Sequence, residues 1–149
     1  MEDRPGAAPK LHVVDSGLGG HLLRLTREKL DRRTPQALTE FGHLLETFVA
    51  GEVLKQVSWL ERPVTVGQWR TRDGAEVDLV LERHDGSVAG IEVKASSRVA
   101  PSDGRALAAL ASRLPERWLG GAVLYLGAHA VRLDPPRGII ALPLAALWR

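Results

Sequence analysis

Near residue 60 the hydrophobic period of this chain switches from helical to strand-like, and that switch constrains the fold more than any other feature of the sequence. From Pro35 to Ser58, Phe41, Leu44, Leu45, Phe48 and Val49 recur at i, i+3, i+4, i+7 and i+8, the spacing of one helix face. Thr34-Pro35 marks the start, with threonine at the cap and proline at the first helical position. Glu46 lies outside that stripe and lines up with a second one, Val49, Ala50, Val53 and Val57. A helix apolar on two sides is largely buried, so Glu46 is expected to face protein or a cleft. After Val64 the apolar residues alternate. Val64 to Arg70, Glu76 to Arg83 and Val88 to Ala95 read as three strands, separated by the turn residues Arg72-Asp73-Gly74 and His84-Asp85-Gly86.

The later pattern adds a helix from Pro101-Ser102-Asp103 to about Leu114 and an apolar run, Gly121 to Gly127, expected of a strand buried on both faces. Val131 to Leu133 reads as an edge strand, and Ile139 to Trp148 as a strand or a helix beyond the break at Pro135-Pro136. Upstream, Leu11 to Val14 suggests a short strand or a buried arm, and Asp15 or Ser16 caps a short helix through Leu25. Residues 1–10, polar and rich in Pro and Gly, read as a flexible leader, which leaves 11–149 as one domain. The order helix, three-strand antiparallel meander, helix, further strands is that of an α/β fold. A chain of 149 residues buries roughly 68–70% of its unfolded surface, enough for a core.

Composition removes several chemistries. There is no cysteine, which excludes disulfides, thiolate catalysis and cysteine-ligated zinc. Histidines 12, 21, 43, 84 and 129 show no metal-binding spacing, so any metal site must be built from carboxylates. No apolar run reaches the roughly 18 residues of a membrane span, and Met1-Glu2-Asp3-Arg4-Pro5 lacks a secretory pattern. A cytoplasmic protein without a membrane partner is expected. The net charge of +2 does not by itself mark a nucleic-acid binder. Arginine outnumbers lysine sixteen to four, so each lysine draws interest, and Lys94 is one of them.

In Ile91-Glu92-Val93-Lys94-Ala95 alternation puts Glu92 and Lys94 on one face and the apolar residues on the other. In the preceding strand Asp78 interrupts Val77-Asp78-Leu79-Val80-Leu81, where an unpaired carboxylate costs several kcal/mol on the order-of-magnitude scale of buried charges. Asp78 therefore needs a partner or a metal. Two carboxylates on adjacent strands suit Mg²⁺ or Mn²⁺, with the Val93 carbonyl as a further ligand and Glu46 as an accessory acid. Lys94 would position water or meet developing negative charge. The plain alternative for Glu92 and Lys94 is a solvated ion pair worth roughly 0–1 kcal/mol. Glu52 lies about 120° from Glu46 around the helix and is expected to pair with Arg70 or Arg72. The four tryptophans read as core and edge packing rather than as a base-stacking platform. The turn also fixes register. A three-residue loop with Gly86 left-handed pairs Asp78 with Glu92, whereas a two-residue turn sets them on opposite faces.

Asp15-Ser16-Gly17-Leu18, Leu45-Glu46-Thr47-Phe48-Val49 with Glu52-Val53-Leu54, Trp69-Arg70, Glu76-Val77-Asp78-Leu79-Val80, Ile91-Glu92-Val93-Lys94, and Ala141-Leu142-Pro143-Leu144 with Leu147-Trp148 follow one order. Over about residues 10–148 this order resembles the C-terminal domain of unknown function number 4143 of bacterial and archaeal AAA+ ATPases. That family is in turn similar to the PD-(D/E)xK nuclease-like superfamily. The resemblance implies a restriction-endonuclease-like core. It casts Asp78 as the metal-binding aspartate, Glu92 and Lys94 as the (D/E)xK pair, and Glu46 as the acid of the first helix. Val77 stands where the proline of the motif would be, and no GxxxxGK[ST] loop occurs. A standalone remnant, a fragment, or half of a split gene with a separate ATPase subunit would each account for that. Two functions follow: a Mg²⁺-dependent endonuclease or DNA-processing domain, and a non-catalytic nucleic-acid or protein-binding regulatory module.

Overall fold

Thr34 caps the long helix as the sequence predicts: its hydroxyl accepts the Ala37 amide at 3.3 Å, and the helix runs Pro35–Ser58. The computed structural model describes residues 10–148, so the flexible-leader expectation falls almost wholly outside the described part. Two short helices precede the long one, α1 (Ser16–Leu22), capped by Asp15, and α2 (Arg27–Asp31), which the sequence pattern did not suggest. The long helix, α3, is apolar on two sides because it has two neighbours. Leu44 meets Gly19 and Gly20 of α1, while Val49, Ala50 and Val53 pack on the sheet.

Strands β1 (Val64–Arg70), β2 (Glu76–Arg83) and β3 (Val88–Lys94) form the expected antiparallel meander. A 3₁₀ turn (Pro101–Gly104) and helix α4 (Arg105–Arg113) then lead to β4 (Trp118–Tyr125), parallel to β3. Strand β5 (Val131–Asp134) is an edge, and β6 (Ile139–Pro143) runs parallel to β4 before a last 3₁₀ turn, Leu144–Trp148. The sheet order is β1-β2-β3-β4-β6-β5, a six-stranded mixed α/β sheet with a helix on each face. Leu11 and Val14 form neither strand nor buried arm; both are exposed, at 94% and 104%. The run Leu11-His12-Val13-Val14 is only four residues and is interrupted by His12, too short an apolar stripe to hold against the body.

The two faces carry separate cores. On one, α3 covers Leu79, Ile91, Val93 and Leu124; on the other, α4 places Leu107 and Leu110 against Val77, Val80, Val88 and Val123. Gly90 is the tightest point of the second core. A Cβ there would stand 2.6 Å from Leu107 Cδ2, and Trp118 and Val77 close the other sides. Since Leu107 is fully buried, it has nowhere to retreat. Gly90→Ala is therefore expected to cost about 1–3 kcal/mol through overpacking, read as a lowered urea midpoint with an unchanged slope.

Candidate functional site

The β2–β3 loop sets up the site. Gly86 has φ of +82°, its amide donates to the Arg83 carbonyl, and the Arg83 amide donates to the Ser87 carbonyl, leaving His84-Asp85-Gly86 as a three-residue loop. The register that follows pairs Leu79 with Ile91 and Val80 with Gly90, and its continuation brings Asp78 to Glu92. Strand β2 also carries one extra residue against β1. Gly67 pairs with Val80 and Trp69 with Val77, so Gln68 alone faces Asp78 and Leu79. This bulge frees the Asp78 side chain to turn into the β2–β3 seam, where Oδ2 accepts the Val93 amide at 2.9 Å. Bulges re-aim side chains in this way beside functional sites.

The register sets Glu92 beside Asp78, and the Glu92 Oε1 is buried with no hydrogen-bond partner among the described residues. Burial, then the neighbouring Asp78 charge, push the Glu92 carboxyl up to about 9, against the pull of Lys10 and Lys94. Two residues on, Lys94 is half-exposed and holds Asp103 Oδ1 at 3.1 Å. Asp103 is fixed in turn, its Oδ2 accepting the Ala100 amide at 2.9 Å. Burial raises the Asp103 carboxyl, but the bonds from Ala100 and Lys94 outweigh it and hold the group below the usual range. Glu76, Glu92, Lys94, Ser102, Asp103 and Arg105 line a cleft of about 540 Å³ at the start of α4.

Glu46 reaches the cluster by a route that the sequence did not indicate. Packing its Val49-Ala50-Val53-Val57 stripe on the sheet would, from sequence alone, carry Glu46 toward the strand face bearing Glu92 and Lys94. Instead α3 packs on the opposite face, over Ile91 and Val93. Its carboxylate meets Asp78 through an intermediary, the Lys10 ammonium, which contacts Glu46 at 3.2 Å, Glu76 at 2.7 Å and Asp78 at 2.7 Å. Burial works against the Lys10 charge, but the bonds to Asp78 and Glu76 overcome it and keep the amine protonated well above its usual range. Val93 enters these contacts through its amide. Sequence reasoning thus missed Lys10, Glu76 and Asp103. The one signal available for Lys10 was its rarity, as another of four lysines among sixteen arginines.

Glu52, expected to pair with Arg70 or Arg72, instead bonds Lys55 and accepts the Trp148 indole N–H at 3.0 Å. Arg70 turns to Glu76 at 3.7 Å. The tryptophans divide: Trp69 stacks under Arg113 and Trp118 donates to the Arg137 carbonyl, whereas Trp59 is 78% exposed and packs in no core.

For a divalent ion the carboxylates offer oxygen donors, as Mg²⁺ or Mn²⁺ prefers, and the orphaned Glu92 Oε1 is a buried acceptor in want of a cation or a proton. Among the described residues no group of three or more carboxylates or histidines is arranged to hold a metal ion; the carboxylates of Glu46, Glu76 and Asp78 surround the Lys10 ammonium instead. No helix among those residues is long and apolar enough to cross a membrane.

No solved structure matches the chain. Two uncharacterized proteins, of Mycobacterium bovis and Mycobacterium tuberculosis, are each 31% identical to it over 140 residues, 94% of this chain and 28% of theirs. The chain therefore spans little more than a quarter of the length of these relatives. The model of the family described as Domain of unknown function (DUF4143) matches residues 41–147, a stretch that contains Glu46, Asp78, Glu92 and Lys94, and the chain belongs to that family.

Proposed function

We propose that this chain is a nuclease-like domain of the PD-(D/E)xK type, with a restriction-endonuclease-like core, that takes Mg²⁺ or Mn²⁺ on Asp78 and Glu92 and hydrolyses or processes phosphodiesters of DNA. The observation that carries this reading is the pairing of two carboxylates across the β2 bulge, with Glu92 Oε1 buried and unpartnered, at a cost that a purely structural site has no reason to bear. The ion would supply Lewis-acid polarisation of the phosphodiester and a more acidic water. Asp78 is held for that task by the Val93 amide. The Val93 carbonyl is a candidate further ligand and Glu46 an accessory acid. Lys94, on the same strand face as Glu92 and steadied by Asp103, offers positive charge where negative charge develops on phosphate. Ser102 and Arg105, on the same cleft wall, suit phosphate contacts that position a strand without reading its sequence.

A second reading, a non-catalytic regulatory module derived from an AAA+ ATPase C-terminal domain and working beside a separate ATPase subunit, is favoured by one feature. Both lysines of the cluster are already neutralised, Lys10 by three carboxylates and Lys94 by Asp103. Incubation of supercoiled plasmid with the protein separates the two. The nuclease reading expects nicking that requires Mg²⁺ or Mn²⁺ and disappears in Asp78→Ala. Failure to cut plasmid or branched DNA with either ion would leave the regulatory reading.

A further inference from the structure

We propose that Lys10 is a built-in cation of this site, its ammonium holding the carboxylates in the place of a divalent ion, so that loading requires Lys10 to leave. The inference rests on the reading of Asp78 and Glu92 as metal ligands. Three observations support it. An ammonium has three protons to donate, and Lys10 spends them on three carboxylates from two different elements, Glu46 of α3 and Glu76 and Asp78 of β2. The partners are those a hard cation would seek. Among the described residues no other lysine and no arginine takes more than one carboxylate.

The second observation is that the stretch following Lys10 has little else to hold it. Leu11 and Val14 are almost wholly exposed. Among the described residues, His12 Nδ1 meets Thr47 Oγ1 at 3.1 Å and a Val13 methyl lies against Gly19. The three pairs are part-buried, so withdrawal of Lys10 costs both those bonds and the repulsion among the carboxylates it leaves. A divalent ion removes that cost. The third is stoichiometric in charge: Lys10 faces Glu46, Glu76 and Asp78 with help only from Arg70, which reaches Glu76 at 3.7 Å, and two positive charges in place of one ammonium compensate these carboxylates better. Lys10 thus acts as a reversible plug that keeps the carboxylates together without metal and gives way when metal arrives.

The test is calorimetric titration of Mn²⁺ into the full chain, without DNA, for the wild type, Lys10→Met, Lys10→Arg and Asp78→Asn. Met keeps most of the aliphatic stem and removes the charge; Arg keeps the charge. The expected result is that Lys10→Met binds Mn²⁺ about tenfold more tightly, Lys10→Arg stays near wild type, and Asp78→Asn loses most binding. A second readout needs no variant: acylation of Lys10 by an amine-specific reagent, followed by mass spectrometry, should accelerate several-fold with Mn²⁺ while Lys29 and Lys55 are unchanged. Equal Mn²⁺ affinity in wild type and Lys10→Met, with Asp78→Asn still impaired, would overturn the plug and leave the metal site standing. Absence of binding in every variant up to millimolar Mn²⁺, with or without DNA, would overturn both. Mn²⁺-independent acylation of Lys10 in a wild type that does bind the ion would also remove the plug.

Discussion

Glu92→Gln is expected to make the metal-free protein more stable at alkaline pH, by an amount that grows as pH rises. The folded-state carboxyl of Glu92 titrates near 9, raised first by burial and then by Asp78, whereas in the unfolded chain it titrates in the ordinary range near 4.5. Between those values the native state binds the extra proton. The contribution of this group is therefore fully present below about pH 4.5 and is lost as pH climbs towards 9. Glutamine imitates the protonated carboxyl and has nothing to lose. Wild type and variant should melt together near pH 5 and separate progressively, by several degrees, as pH approaches 9. Mn²⁺ reverses the order: the ion favours the ionised carboxylates and raises the wild-type melting temperature, while the variant gains little. Thermal melts from pH 5 to 9, with and without Mn²⁺, check both halves. A constant gap across that range would show that Glu92 does not hold a proton in the native state.

Lys94→Ala is expected to lower plasmid nicking by about a hundredfold, the scale of losing one preorganised positive group at a reacting oxyanion, while Mn²⁺ affinity is unchanged or improves. The asymmetry follows from charge. Lys94 pulls the Glu92 carboxyl down from across the strand face, so its removal takes a positive neighbour away from the ion but leaves every proposed ligand in place. Global stability should change by less than about 1 kcal/mol, because the Lys94–Asp103 pair is half-exposed on the lysine side. Calorimetry and nicking must therefore part company. A joint fall of ion affinity and cleavage would mean that Lys94 shapes the ligand set instead of serving the reaction.

The sequence made the β2–β3 pair legible down to its loop. Glycine at position 86 accepts the positive φ that the last residue of a three-residue loop requires, and the alternation of Ile91, Glu92, Val93 and Lys94 then assigned each side chain to its face. The bounds of α3 were readable for a similar reason, a cap and a proline at one end and an unbroken apolar pattern behind them. Which helix covers which face was not readable. Alternation separates the two faces of a strand without saying that α3 lies over Ile91 and Val93, and that choice sent Glu46 to the far side of the sheet from Glu92. The bulge at Asp78 and Leu79 carries no glycine to announce it. Contacts set by the ends of the fold were harder still. Lys10 is 68 positions from Asp78, and Glu52 is 96 from Trp148. Neither belongs to a periodic pattern, so only the closed tertiary structure brings them together.

The three-residue loop at His84-Asp85-Gly86 also bears on how this domain can vary through descent. Most surface loops absorb insertions and deletions readily, but here a gain or loss of one residue would slide β3 by one position against β2 and exchange its faces. Ile91 and Val93 would then open onto the cleft, and Glu92 and Lys94 would be driven beneath α3. Substitution at His84 or Asp85 leaves that arithmetic intact, and even Gly86 can be replaced at the cost of some strain. The length of this turn is therefore under tighter constraint than the identity of its residues, and among relatives the spacing of thirteen residues between the aspartate and the glutamate should survive where the turn sequence between them drifts.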